Sequence, residues 1–215
     1  MMFDYIDKAY YINLDYRTDR KLLLEERIKK IGLDIERFEA VKFNLDEMEN
    51  PYNDKDWHKK MACNQSHINI IKSAKEQGLK NVWILEDDCV FVDGFVEKAK
   101  KCLDELQDLE WDLFYFGGEP NRESEPHSDL LVKTNGAYGI HSYIINNTFY
   151  DKVINNTPTN LLLDVFLLNF NESDKIFYIS KELLCLQDGN FESDLWGGKI
   201  NRDEIYGEAY KKYIK

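Results

Sequence analysis

Glycine-rich phosphate loops are missing from this chain. Neither Gly-x-Gly-x-x-Gly nor Gly-x-x-x-x-Gly-Lys-Ser/Thr occurs, which disfavours a Rossmann dinucleotide site and a P-loop. The four cysteines, Cys63, Cys89, Cys102 and Cys185, show no Cys-x-x-Cys spacing and no paired-histidine pattern. A zinc site is therefore not expected, and scattered reduced thiols fit a cytoplasmic protein. No window approaches the ~20 apolar residues of a transmembrane segment. The opening Met1 to Asp7 has neither the basic start nor the apolar run of a signal peptide. A net surplus of positive charge is also absent. The formal charge of −12 argues against nucleic acid or an anionic membrane as a partner, because phosphate affinity rests on clustered Lys and Arg.

Proline is scarce too, at 4 in 215 residues, while 43% of the residues are apolar and 13% aromatic. These values indicate one folded domain over residues 1–215 with a sizeable core. Charge is uneven along it: Arg17, Arg20, Lys21, Arg27, Lys29 and Lys30 make the N-terminal region locally basic, suited to one small anionic ligand.

Strand-like and helix-like segments alternate. Residues 8–14 read as a strand, followed by a polar turn and a helix that starts at Thr18 as N-cap and stops at Gly32. Residues 35–43 read as a short strand, 44–60 as a polar loop, 64–77 as a helix and 81–86 as a strand. A helix over 94–107 and an apolar strand over 111–116 follow, then a polar flap over 119–133. The last elements are a strand over 136–145, helices over 148–154 and 164–170, and a strand over 176–179. Such alternation predicts an α/β fold with a mainly parallel central sheet and helices on both faces. Ligands then collect beyond the carboxyl ends of the strands. That rule gathers residues 13–20, 86–88 and 117–118 on one rim.

The acidic triplet Glu86-Asp87-Asp88, at the end of an apolar run, is the sharpest chemical signal. Two carboxylates one residue apart suit a hard divalent cation, against the plainer reading of a solvated acidic turn. In extended chain Glu86 and Asp88 project to one side and Asp87 to the other. Asn13, Arg17 and Arg20 follow the first strand and suit phosphate, ribose or base edges, although arginines at a helix start are common. Ser66 and His67 stand at the predicted start of a helix, where free backbone N–H groups favour an anion; a plain capped helix reads equally from the residues. Asp164 ends an apolar run, where burial would raise its pKa and suit a general base; an N-cap role is the alternative.

Taken in order, these segments resemble glycosyltransferase family 25. Tyr11-Ile12-Asn13-Leu14-Asp15-Tyr16-Arg17-Thr18-Asp19-Arg20 is similar to that family's opening motif, and Cys63-Asn64-Gln65-Ser66-His67 to its Cys-x-x-Ser-His. Leu85-Glu86-Asp87-Asp88 resembles its Leu-Glu-Asp-Asp, and Trp111 to Gly117 its Trp-Asp-hydrophobic-Gly strand. His141-Ser142-Tyr143, Asp164, Gln187 and Ser193-Asp194-Leu195 resemble its later motifs. Ala62 stands where Gly is usual and Leu163 where Pro is usual.

The resemblance implies a GT-A-type nucleotide-sugar-binding fold. It implies inverting transfer of galactose or glucose from UDP-galactose or UDP-glucose to a hydroxyl on a glycan, a glycolipid such as lipooligosaccharide, or a collagen-like protein. Glu86 and Asp88 would hold Mn²⁺ or Mg²⁺, with His141, Asp188 or water completing the shell. Asn13, Arg17 and Arg20 would contact the nucleotide, Ser66 and His67 the diphosphate or sugar. Asp87 would be structural or face the donor sugar. Asp164 is the first candidate base and Asp194 the second. A non-catalytic nucleotide-sugar or glycan-binding relative is the main alternative; a nucleotidyltransferase ranks lower because its Gly-rich N-terminal loop is missing.

Overall fold

The computed structural model describes residues 3–43, 54–120, 124–170, 175–195 and 197–199. Strand β1, Lys8–Asn13, is followed by helix α1, Thr18–Ile31, whose Leu24 and Ile28 are buried. Its N-cap is Arg17 rather than Thr18, and no side chain caps it. Gly32 ends α1 in the left-handed conformation, and its N–H donates back to Ile28 and Lys29, as a Cβ-free residue allows.

Strand β2, Glu36–Glu39, covers part of the predicted strand over 35–43. Helix α2 runs Trp57–Glu76, seven residues longer at its start than the pattern predicts. The extension has a physical cause: Trp57, Met61 and Asn64 form one buried face, and Trp57 Nε1 donates to Thr159 O at 2.6 Å. The surface residues His58, Lys59 and Lys60 had made that turn read as loop. Most of the loop expected over 44–60 lies outside the described residues.

Strands β3, Asn81–Glu86, and β4, Cys89–Phe91, precede helix α3, Phe95–Leu106, and strand β5, Leu113–Pro120. The region expected as a flap instead contributes two short strands, β6, Glu125–Pro126, and β7, Leu131–Thr134. Leu131 is fully buried, which anchors that segment to the sheet; 121–123 lie outside the described residues. Strand β8, Ala137–Asn146, helices α4, Asn147–Asn156, and α5, Leu163–Asn169, and strands β9, Phe177–Ser180, and β10, Cys185–Gln187, complete the order.

Eight strands form one sheet in the order β2-β1-β3-β8-β5-β9-β7-β6. The β1 pairings to β2 and β3 are parallel, as is β5 to β9, while β8 is inserted antiparallel between β3 and β5. This is the expected α/β architecture, a sheet whose strands mainly run one way, with β8 inverted at the centre and β7 inverted near the edge. The inversion brings the start of β8 beside the carboxyl ends of its neighbours, with Ser142 opposite both Leu85 and Gly117.

Alternate side chains feed two cores. Ala9, Tyr11, Trp83, Leu85, Phe114 and Phe116 pack with α1 and α3, whereas Tyr10, Val82, Ile84, Leu113 and Tyr115 pack with α2, α4 and α5. No described helix is long and apolar enough to cross a membrane.

Strand β10 pairs with β4 in a separate two-stranded ribbon that packs close against β5. A Cβ at Gly117 would overlap the Cys185 carbonyl oxygen and His141 Nε2. Gly117→Ala is therefore expected to destabilise the protein by about 3 kcal/mol, read as a lower urea midpoint at unchanged slope.

Candidate active site

The carboxyl ends of β1 and β3 open into a cavity of about 590 Å³, the size of a small-molecule site. Asn13, Arg20, Ser66, His67, Glu86, Asp87, Asp88, Asp164 and Asp194 all line it. Arg17, predicted with them, does not border the cavity; its guanidinium pairs with Asp19 and Asp194.

Asp87 is the best-held member of the acidic triplet. Arg20 NH1 donates to its Oδ1 at 2.8 Å and Asn13 Nδ2 to its Oδ2 at 2.7 Å, so both oxygens are taken. Arg20 also donates to Glu192 O at 2.6 Å and lies 5.3 Å from the Phe191 ring centre. Asn13 is itself fixed by Arg37, whose Nε donates to its Oδ1 at 3.0 Å. The pleat argument that aims Asp87 away from its neighbours does not apply. β3 ends at Glu86 and the next two acids form a turn, so all three reach the cavity wall.

Glu86 Oε1 lies 3.6 Å from His67 Nε2, and Gln187 Nε2 donates to Oε2 at 3.5 Å. Burial opposes the Glu86 charge, but the hydrogen bond and field of His67, with His141 and Arg20, outweigh it and hold the carboxyl below its usual range. Asp88 is buried, and its carbonyl accepts from Asp188 N at 2.8 Å, tying the turn to the end of β10. The donor set suits a hard divalent cation: two carboxylates, Glu86 and Asp88, border the cavity while Arg20 neutralises the third acid between them.

Ser66 and His67 do not stand at a helix start. They lie in the interior of α2, so their backbone N–H groups belong to the helix ladder and offer nothing to an anion. Ser66 Oγ donates to Ala62 O at 2.8 Å and accepts from Val41 N at 2.9 Å, which is a structural role. His67 Nδ1 pairs with Tyr143 Oη at 3.0 Å and its ring stacks on Tyr143 at 5.7 Å. Its Nε2 is the nitrogen turned toward Glu86.

Neither residue suggested to complete a metal shell is suited to it. His141 is fully buried with Nδ1 at 2.7 Å from Gly139 O and Nε2 at 3.0 Å from Cys185 O. Asp188 is ion-paired with Arg27. Asp194 is engaged by Arg17 and lies 3.4 Å from Arg20 NH2, which ties its oxygen to two guanidiniums rather than to an incoming group.

Asp164 sits in the first turn of α5, whose N-cap is Leu162, so the N-cap alternative does not apply. Its carboxylate accepts from Gly139 N at 3.1 Å and Val165 N at 2.7 Å. Burial, helped by the Glu86 charge, raises its pKa above the ordinary value despite those two hydrogen bonds.

Sequence reasoning missed Cys63 as a neighbour of this chemistry. Its Sγ, a His67 ring nitrogen and a Glu86 oxygen lie within 4.8 Å of one another. The legible signal was the i,i+4 spacing of Cys63 and His67 on one helix face. Phe191 and Arg37 carried no such signal, and Tyr143 showed only as part of a motif, since each meets its partner from an element distant in the chain.

The family model described as glycosyltransferase family 25 (LPS biosynthesis protein) matches residues 6–118, more than half of the chain. The chain belongs to glycosyltransferase family 25. It is 28% identical over 181 residues to a Xenopus laevis protein named procollagen galactosyltransferase 1-B, an alignment covering 74% of this chain and 30% of that relative. The chain thus spans under a third of the length of the curated relatives it matches. A Rattus norvegicus relative named probable inactive glycosyltransferase 25 family member 3 is 26% identical over 119 residues, 54% of this chain and 19% of its own. A solved glycosyltransferase involved in glycosylating the major capsid of PBCV-1 is 12% identical, covers 80% of each chain and gives a TM-score of 0.43. For this family-25 chain, the α/β sheet with helices on both faces is the architecture that the sequence pattern predicts.

The Arg20–Asp87 pair generates a stability prediction. Arg20→Met leaves a buried carboxylate without its cation and is expected to cost about 3–5 kcal/mol. Lys100→Ala, which removes an exposed i,i+4 pair with Asp104, should leave the midpoint nearly unchanged. Thermal or urea melts of the two variants check the contrast.

Proposed function

We propose that this chain is a transferase unit that moves a hexose, galactose or glucose, from a UDP-sugar to a hydroxyl acceptor with inversion. The observation that carries the reading is one cavity bordered both by the Glu86 and Asp88 carboxylates and by an Asp164 whose proton affinity is raised.

Asp164 is the proposed base. Displacement with inversion needs a proton acceptor beside the attacking hydroxyl, and a carboxylate with raised pKa transfers that proton better near neutral pH than an ordinary aspartate. The Gly139 and Val165 N–H groups hold both of its oxygens in place. Mn²⁺ or Mg²⁺ held by Glu86 and Asp88 would neutralise the charge that develops on departing UDP. Asn13 and Arg20 border the nucleotide side and shape it through their grip on Asp87. Arg17 acts at one remove, by fixing Asp194. Asp194 is the weaker candidate base because of that fixation. His67 Nε2 orients Glu86, and Ser66 keeps the chain after β2 against α2. Acceptors of the proposed class are glycans, glycolipids such as lipooligosaccharide, and collagen-like proteins.

The second reading is a binding module that has lost turnover, favoured by the inactive name of one relative. UDP release from UDP-galactose and UDP-glucose, with Mn²⁺ and then with EDTA, separates the two. Turnover that EDTA removes supports transfer, whereas donor binding without release over an acceptor panel sinks it. Asp88→Asn is expected to abolish metal-dependent release while the protein keeps its melting temperature. Asp164→Asn should lower kcat by about 10²–10⁴-fold with little change in donor KM. It should also erase the acid limb of the kcat/KM profile, which in the parent lies above the ~3.9 of an unperturbed aspartate; activity rises with pH through that limb as the base loses its proton.

A further inference from the structure

Three side chains of unlike chemistry meet at one edge of the cavity. Cys63 and His67 project from the same face of α2, and Glu86 comes from the tip of β3; the potential ligand atoms all lie within 4.8 Å of one another. His67 Nε2 and Glu86 Oε1 are 3.6 Å apart, already within the ~3.3–3.8 Å separation of ligands around a tetrahedral ion with bonds of about 2.0–2.3 Å. The other two pairs lie within 4.8 Å, so a closure of at most about 1 Å completes the set. The imidazole is preset: Tyr143 holds Nδ1 at 3.0 Å and stacks on the ring, the kind of outer-shell partner that fixes which nitrogen faces a metal. Gln187 restrains the other oxygen of Glu86. Cys63 is a free thiol, and an entering ion displaces its proton.

We propose that Cys63, His67 and Glu86 form a site for one thiophilic divalent cation of the Zn²⁺ class, with an open coordination position toward the cavity, and that its occupancy inhibits transfer. Thiolate and imidazole select such an ion over Mg²⁺ or Mn²⁺. Inhibition follows because Glu86 is shared: an ion held with Cys63 draws that carboxylate away from Asp88. This second half rests on the transferase reading; binding does not.

The test is a Co²⁺ titration of the reduced, chelator-stripped full chain. The expected result is a near-ultraviolet thiolate-to-metal charge-transfer band that is lost in Cys63→Ser, kept in Cys102→Ser, and needs roughly tenfold more Co²⁺ in Tyr143→Phe. No band in the parent, or a band that survives Cys63→Ser, overturns the site. X-ray absorption of the Zn²⁺-loaded parent needs no variant: a sulfur neighbour at about 2.3 Å supports it, and a shell of nitrogen and oxygen alone overturns it. In the UDP-release assay, Zn²⁺ added over Mn²⁺ should inhibit the parent and spare Cys63→Ser; equal inhibition of both sinks the competition. A chain that binds Co²⁺ through Cys63 yet releases no UDP ends the transferase reading and leaves the metal site standing. A chain that releases UDP without a thiolate band does the reverse.

Discussion

The buried ion pair between Arg20 and Asp87 is the constraint on which the site depends. Three consecutive carboxylates at a strand end repel one another, and burial makes that repulsion worse. Arg20 places a guanidinium against the middle acid at 2.8 Å. Its other nitrogen fastens the returning C-terminal segment through Glu192 O. Asn13 at the end of β1 takes the second Asp87 oxygen. One helix, two strands and one loop are thus joined at a single carboxylate. A buried pair of this kind gains little net stability, because desolvation offsets most of the attraction. Its work is geometric: it leaves Glu86 and Asp88 bordering the cavity.

The second determinant is the direction of β8. Running against its neighbours, it delivers Gly139 to Ser142 at the rim where β3 and β5 end. Gly139 N then holds Asp164 on α5, while His141 spans from the Gly139 carbonyl to that of Cys185. Gly117 permits this close approach because it has no Cβ to obstruct it. A histidine set between two buried carbonyls, and donating to at least one of them, is a bolt between β8 and β10, which explains its burial better than any role toward ligands.

The same cavity holds hard and soft donors side by side. Glu86 is the hinge between them, facing His67 on one side and continuous with Asp87 and Asp88 on the other. Family membership sets the proposed chemistry on the carboxylate side. The thiol side comes from the packing of α2 against β3, which brings Cys63 and His67 to Glu86.

Several features were legible in the residues alone. Alternating apolar runs and helical spacings determined the α/β class, the helix stop at Gly32 and the acidic tip at Glu86 to Asp88, because these signals are local. Ordered motifs determined the family. What the residues could not convey were contacts made across the chain. The true start of α2 depends on Trp57 docking against Thr159, and that moved Ser66 and His67 from a helix end to a helix interior. The pleat rule for Asp87 failed because β3 stops one residue earlier, and Arg20, 67 residues away, captured that side chain. Arg17 and Asp194 found each other in the same way, which removed one from the cavity and tied up the other. Local sequence determined which groups were present and on which element; the tertiary structure decided which of them neutralise each other and which remain turned to the cavity, because burial makes every charge choose a partner.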